Sequence, residues 1–332
     1  MAQLAQELSS VNHREMKERR PWAAVAGVGT ALLHACIHPP PVSQAALPLG
    51  LHASRTFGDV GVHLVNTGWV RVKEAHRTLG GRESLRLPAI LFDDRWTEFM
   101  PVLVAVIDHP EGVFLVDAGL TEDTLDPSHF NESVGNSFVY ENLLDFRFDA
   151  RERSDRWLPK IGVDPARVRG VVVTHRHADH SDALVALPEG ADVYVGEADW
   201  PSHQGALSWP LTRPPTLVRH GAPLEAVLPL TRDGRVQIVA LPGHSPGHLG
   251  VLVRAEPGGG EQALEVLIGG DVAFTLDQIR SSTIAGIVED PRAARASLGA
   301  LAARLDERPT LLLLTHDPLS AERLEGGVRT RL

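Results

Sequence analysis

The chain has one cysteine, Cys36, in 332 residues. A single thiol can form no intrachain disulfide and no thiolate cage, so any metal bound here must be held by histidine, aspartate or glutamate. Positive charge is also in short supply. Lysine and arginine number 32 against 42 acidic residues, for a net charge of -10. Neutralising phosphates needs a basic surface, so a general nucleic-acid binder is disfavoured. Long apolar runs are missing as well. The charge-free stretch 21–38 near the start (PWAAVAGVGTALLHACIH) is too short and too rich in glycine and alanine for a membrane span. What the chain does have is a 43% hydrophobic fraction, enough for a substantial core.

Residues 1–50 differ from the remainder and are read as an N-terminal extension, with a globular domain over 51–332. Lys17, Arg19 and Arg20 precede the charge-free stretch, and Pro39, Pro40 and Pro41 follow it. Basic residues, a short apolar segment and the small-residue stretch at 43–45 fit a signal or anchor segment. The other reading is an N-terminal helix that docks on the domain. A cytoplasmic location is expected, with export or lipid anchoring as the alternative if residues 1–45 are a signal. The membrane enters only through such an anchor.

Residues 101–108 (PVLVAVID) and 112–117 (GVFLVD) predict two strands of a hairpin. Further strands are predicted over 170–174, 191–195, 236–241, 250–254, 264–268 and 310–315, with a glycine-rich turn at 258–260. Residues 121–150 read as a loop or helical insertion, and 197–229 as an irregular cap holding Trp200 and Trp209. Asp290 followed by Pro291 reads as an N-cap with proline at the first helical position. The helix it opens runs to about Leu305, with Ala294, Leu298, Leu301 and Leu305 on its packing face.

Polar residues recur where these strands end: Asp117, the segment 174–182 (THRHADHSD), His244, Asp271 and His316. Buried ionisable groups are costly unless paired or bound to metal. His175 and His177 are two apart in extended chain and point the same way, so they can share one ion. Asp179 and His180 can turn toward a second. His244 would complete the first set, His316 the second, and Asp271 would bridge both. These nitrogen and oxygen donors suit zinc, and also manganese, iron or cobalt. The structural alternative is a hydrogen-bonded polar cluster, with Asp271 an ordinary turn residue. For His52, His63, His109, His129, His203 and His220, a structural role is the default. Trp200, Trp209, Phe130 and Phe138 are read as packing residues before substrate contacts.

This order of motifs resembles the metallo-β-lactamase superfamily over residues 101–316, in all five of its motif regions. The resemblance implies an α/β fold, a four-layer αββα sandwich with the metal site at one edge of its two sheets. It implies two divalent ions, zinc first, on His175, His177, Asp179, His180, His244, Asp271 and His316. Asp117 would support the metal loop without ligating, and His248 would be a partner to the ligands or a packing residue. The lead-in to the histidine motif, PGHSPGH at 242–248 and the ending at Asp317 point to the N-acyl homoserine lactonase-like (quorum-quenching) branch. Lactonases of that branch carry a tyrosine three residues after the bridging aspartate; here that position is Phe274, which has no hydroxyl. The resemblance implies an enzyme, a metallo-hydrolase that cleaves a lactone or carboxylic ester of a small molecule by attack of a hydroxide shared between the ions. Asp179 would orient that hydroxide or carry its proton. The alternatives on the same fold are a glyoxalase II-type thioesterase, a phosphotriesterase-like hydrolase and a mononuclear-iron sulfur dioxygenase.

Overall fold

Along residues 103–107 the side chains alternate between two different cores, and that alternation places the whole domain. Leu103, Ala105 and Ile107 pack with Ile238, Val251 and Leu313. Val104 and Val106 pack instead with Trp157, Leu158 and Leu184. A strand buried on both faces must lie between two layers. The structure, a computed structural model, describes residues 47–332 apart from 82, 131–133, 202–204 and 255–263. Most of the N-terminal extension (1–46), the turn at 258–260 and His203 lie outside the described residues.

The first sheet holds β1 (His52–Phe57), β2 (Val60–Val72), β3 (Met100–His109), β4 (Gly112–Val116), β5 (Leu144–Arg147), β6 (Val168–Val172), β7 (Asp192–Gly196) and β8 (Thr216–Val218). Its order is β1-β2-β3-β4-β6-β7-β8, with β5 paired to β2. The second holds β9 (Ala226–Pro229), β10 (Val236–Ala240), β11 (Leu249–Arg254), β12 (Glu265–Ile268) and β13 (Thr310–Leu313), in the order β13-β12-β11-β10-β9. Their facing sides share one apolar core. The helix Ser154–Lys160 covers the outside of the first sheet through Trp157 and Leu158. The helix Pro291–Glu307 covers the outside of the second through Ala294, Leu298, Leu301 and Leu305. This is the four-layer arrangement expected from the motifs.

The long helix starts where its residues require. The Asp290 side chain accepts from the N–H groups of Arg292 and Ala293, and Pro291 takes the first turn, where no amide hydrogen is needed. The hairpin β3–β4 pairs Ala105 with Val116 and His109 with Gly112, as the short turn predicts. Two findings extend the sequence reading. Residues 52–72 form a β-ribbon whose longer strand, β2, is interrupted by Gly61, Asn66, Thr67 and Gly68, which hid its period. The insertion at 121–150 contains the helix Val134–Asn142 and also β5.

Candidate metal centre

The parallel neighbours β4 and β6 deliver Asp117 and the histidine segment side by side. Asp117 sits in left-handed backbone (φ 67°), a conformation aspartate tolerates better than most residues. Its carboxylate accepts from Thr174 N at 2.7 Å, from Thr174 Oγ1 at 3.0 Å and from His180 Nδ1 at 2.8 Å. With Nδ1 donating, His180 Nε2 is turned inward as the nitrogen that would meet an ion, the usual way a carboxylate orients a metal-binding imidazole. Asp117 itself belongs to none of the potential ligand groups among the described residues.

The seven residues singled out by their spacing converge. One ring nitrogen each from His175, His177 and His244 lies within 4.8 Å of the other two. His175 Nε2 is 2.8 Å from His177 Nδ1, and His244 Nε2 is 3.1 and 3.2 Å from them. Nitrogens on a tetrahedral zinc stand about 3.3 Å apart, given bond lengths of about 2.0–2.1 Å. Beside this trio, Asp179, His180 and His316 form a second group, and His175, His180 and Asp271 a third. His316 Nε2 is 3.3 Å from Asp179 Oδ2 and 3.4 Å from Asp271 Oδ2. Its other nitrogen, Nδ1, donates to the Pro101 carbonyl at 2.9 Å, which aims Nε2 at the carboxylates. Asp271 reaches both sides, 3.4 Å from His180 and 3.8 Å from His244.

The donor set fits a pair of cations. His180 Nε2 and Asp271 Oδ1 are buried, face each other and make no hydrogen bond among the described residues. Such groups are costly to leave unmatched. The titration behaviour agrees. Burial pushes His175 well below the ordinary imidazole range, and the neighbouring histidines add to it. Burial also lowers His244, outweighing the pull of Asp271. Burial opposes protonation of His180 and His316 too, yet Asp271 and its fellow carboxylates win, holding His180 well above the usual range and His316 up at about 10. Positive charge is wanted on the carboxylate side, and bare nitrogens stand ready on the other.

A family profile described as the metallo-beta-lactamase superfamily matches residues 97–316. The chain belongs to that superfamily. Among similar superfamily proteins, the N-acyl homoserine lactonase AttM of Azorhizobium caulinodans is 28% identical over 229 residues, covering 66% of this chain and 82% of its own. An N-acyl homoserine lactone hydrolase solved with N-hexanoyl-L-homoserine at its catalytic metal centre aligns with TM-score 0.61 at 18% identity, over 79% of this chain and 94% of that one. AidC, a dizinc quorum-quenching lactonase, aligns with TM-score 0.53 at 12% identity, over 80% and 90%. Both structures share the superfamily fold.

The parts of the site beyond the superfamily motifs come from loops that carry no spacing signal. Asp199, fully buried, accepts from Ser245 Oγ at 2.6 Å and Gly247 N at 2.5 Å, pinning the loop that bears His244. His248 accepts from Asp271 N at 3.1 Å, so it partners the cluster without joining it. Gly270 (φ 55°) is required here: a Cβ would lie 2.9 Å from both His248 Nε2 and Thr174 Cβ. Arg176 turns away from its histidine neighbours. It donates to the carbonyls of Leu207 (2.6 Å) and Pro201 and lies against the rings of Trp200 and Trp209. Those tryptophans therefore pack and do not line the cavity, but the segment they anchor brings Gly205, Ala206 and Ser208 to its wall. Asp182 also stays out of the cluster, accepting from Thr124 and His129. His109 meets Glu111 and Asp233, where the Arg235 guanidinium already supplies the cation.

The cluster opens on a cavity of about 530 Å³. Val70, Val72, Val139, Leu144, Ile287 and Phe274 give it apolar walls, and no lysine or arginine lines it among the described residues. Phe274 stacks on His316 at 5.4 Å between ring centroids. Polar residues that sequence spacing did not single out also line the wall, Asn136, Ser208, Tyr140 and His76 among them. Tyr140 donates to the Gly205 carbonyl at 2.9 Å and accepts from Ala178 N at 3.2 Å. His76 lies in the short helix Glu74–Arg77.

Proposed function

We propose that this protein is a dinuclear metal-dependent hydrolase, with zinc the foremost metal, that opens lactones of small molecules, N-acyl homoserine lactones among them. One observation carries the reading: two ligand sets joined by Asp271 border a largely apolar cavity that no lysine or arginine lines among the described residues. Two divalent ions bound there would polarise a carbonyl and bring the pKa of water toward about 7. His175, His177 and His244 would hold one ion, Asp179, His180 and His316 the other, and Asp271 both. Asp179, which lines the cavity, would orient the attacking water and accept its proton. The apolar walls exclude bulk water and accept an alkyl arm. A wall without lysine or arginine among the described residues disfavours substrates that need an anionic handle, such as phosphate monoesters. The lactonase names of the relatives support the same choice.

The test is metal analysis of purified protein, followed by turnover of N-acyl homoserine lactones, alkyl lactones, aryl esters, thioesters and phosphotriesters. Lactone opening is expected to be fastest, to disappear on chelation and to return with zinc. Preference for a thioester or phosphotriester would overturn the substrate class. Full turnover by Asp271→Asn carrying a single ion would overturn the two-ion site.

A further inference from the structure

His76 is 6% exposed and lines the same cavity as the metal centre. Its backbone is fixed independently of its ring: the His76 carbonyl accepts from Gly286 N at 2.9 Å and from Ile287 N at 3.3 Å. The preceding Ala75 N–H donates to Asp93 at 2.7 Å. The ring, by contrast, is unmatched. Nδ1 is buried without a hydrogen-bond partner among the described residues. A buried polar group left in that state costs about 1–3 kcal/mol, and a leucine would cover the wall without that cost. The other polar wall residues Asn136 and Tyr140 already donate to the carbonyls of Ala206 and Gly205. Burial drives the His76 pKa down to about 3, and the ionisable groups acting on it are His177, Asp271, Asp179 and His316, all in the metal cluster. Cations in the cluster would push it lower still. The ring is therefore an uncharged imidazole, with one N–H and one lone pair, in the wall of the cavity that the cluster borders.

We propose that His76 is a specificity-determining residue that hydrogen-bonds an amide of the substrate lying outside the scissile ring. An amide offers both a carbonyl and an N–H, so either tautomer of a neutral imidazole can pair with it. A simple alkyl lactone offers neither group. A site built around an unmatched polar side chain discriminates against substrates that leave it unmatched. This rests on the lactone-opening reading and sharpens it, because His76 then selects acylamino lactones over alkyl lactones.

The experiment compares the metal-loaded full chain with His76→Phe, His76→Leu and His76→Gln on N-hexanoyl homoserine lactone and a γ-alkyl lactone of similar length. Metal content and thermal midpoint are recorded for each protein. His76→Phe and His76→Leu are expected to lower kcat/KM for the amide-bearing substrate about tenfold or more. The alkyl lactone should stay within about twofold, and His76→Gln should recover part of the difference. Parallel loss on both substrates, or no loss, would overturn the proposal and leave lactone opening intact. Failure of both apolar variants to fold and take up metal would assign His76 a structural role and overturn it too. If the wild-type protein opens neither lactone, the functional reading falls and takes this one with it.

Discussion

Replacing Asp117 by asparagine changes one oxygen for an NH2 and should remove one metal ion without unfolding the protein. Asparagine tolerates the left-handed backbone at this position (φ 67°) as well as aspartate does. Its remaining oxygen can keep the Thr174 N–H, now at 2.7 Å. The NH2 then faces His180 Nδ1, where the carboxylate oxygen stood at 2.8 Å. Two donors cannot share that contact, so His180 moves its proton to Nε2, the nitrogen aimed at Asp271 and Asp179. A protonated Nε2 has no lone pair for an ion. Losing the support behind a ligand typically costs about 10–100-fold in metal affinity or activity, and reversal of the tautomer puts this case at the upper end. The expected protein holds one ion per chain, keeps a thermal midpoint within a few degrees of metal-depleted wild type, and opens lactones about 100-fold more slowly. Elemental analysis after dialysis against limiting zinc, with calorimetry on the same sample, reads both quantities. Two ions bound at wild-type affinity would refute the reasoning about His180.

Other expectations follow from the same geometry. In the cation-free protein His316, held up at about 10, and His180, held high, carry protons at neutral pH that an ion must displace, whereas His175 and His244 are already bare. Affinity at the carboxylate side should therefore fall about tenfold per displaced proton for each pH unit lost between about 8 and 6, more steeply than at the side that holds His175 and His244. Titration calorimetry in buffers of different ionisation enthalpy counts the protons, and equal release at both sites would contradict the assignment. Asp199→Ala should free the loop at 243–247 and weaken the three-histidine side about 10–100-fold more than the other, read by competition with a chromophoric chelator. Leu301→Ala, at a fully buried position on the long helix, should cost about 2–5 kcal/mol in urea unfolding and leave ion stoichiometry at two. Loss of an ion in that variant would mean that the core and the site are coupled.

The candidate metal-binding residues were legible because their chemistry leaves a local mark. His175, His177, Asp179 and His180 fall within six positions, and Asp117, His244, Asp271 and His316 each follow an apolar strand. The helix at 291–307 was legible for a similar reason, since cap, proline and packing face all lie within its own residues. β2 was not, because both of its faces are buried and polar residues that bond inward break its pattern: Asn66 reaches Val102 N and Thr67 the Val102 carbonyl. His76 left no mark at all. It is one of 16 histidines, and only the tertiary fold sets it on a cavity shared with a centre assembled from residues 99 and more positions away. Arg176 misleads in the opposite sense, lying between two ligands yet serving the wall instead of the ions.

The two sheets are stitched together beside the cluster, by Leu249 N to Thr174 O at 2.8 Å, Leu103 N to Thr315 O at 3.2 Å and His316 to the Pro101 carbonyl. Ions gripped there would act as rivets through both halves of the sandwich, so demetallation should loosen the entire domain and not one loop. At free zinc 100 times its dissociation constant, each rivet contributes about 2.7 kcal/mol against unfolding. Zinc scarcity would then limit how long the protein survives as well as how fast it works.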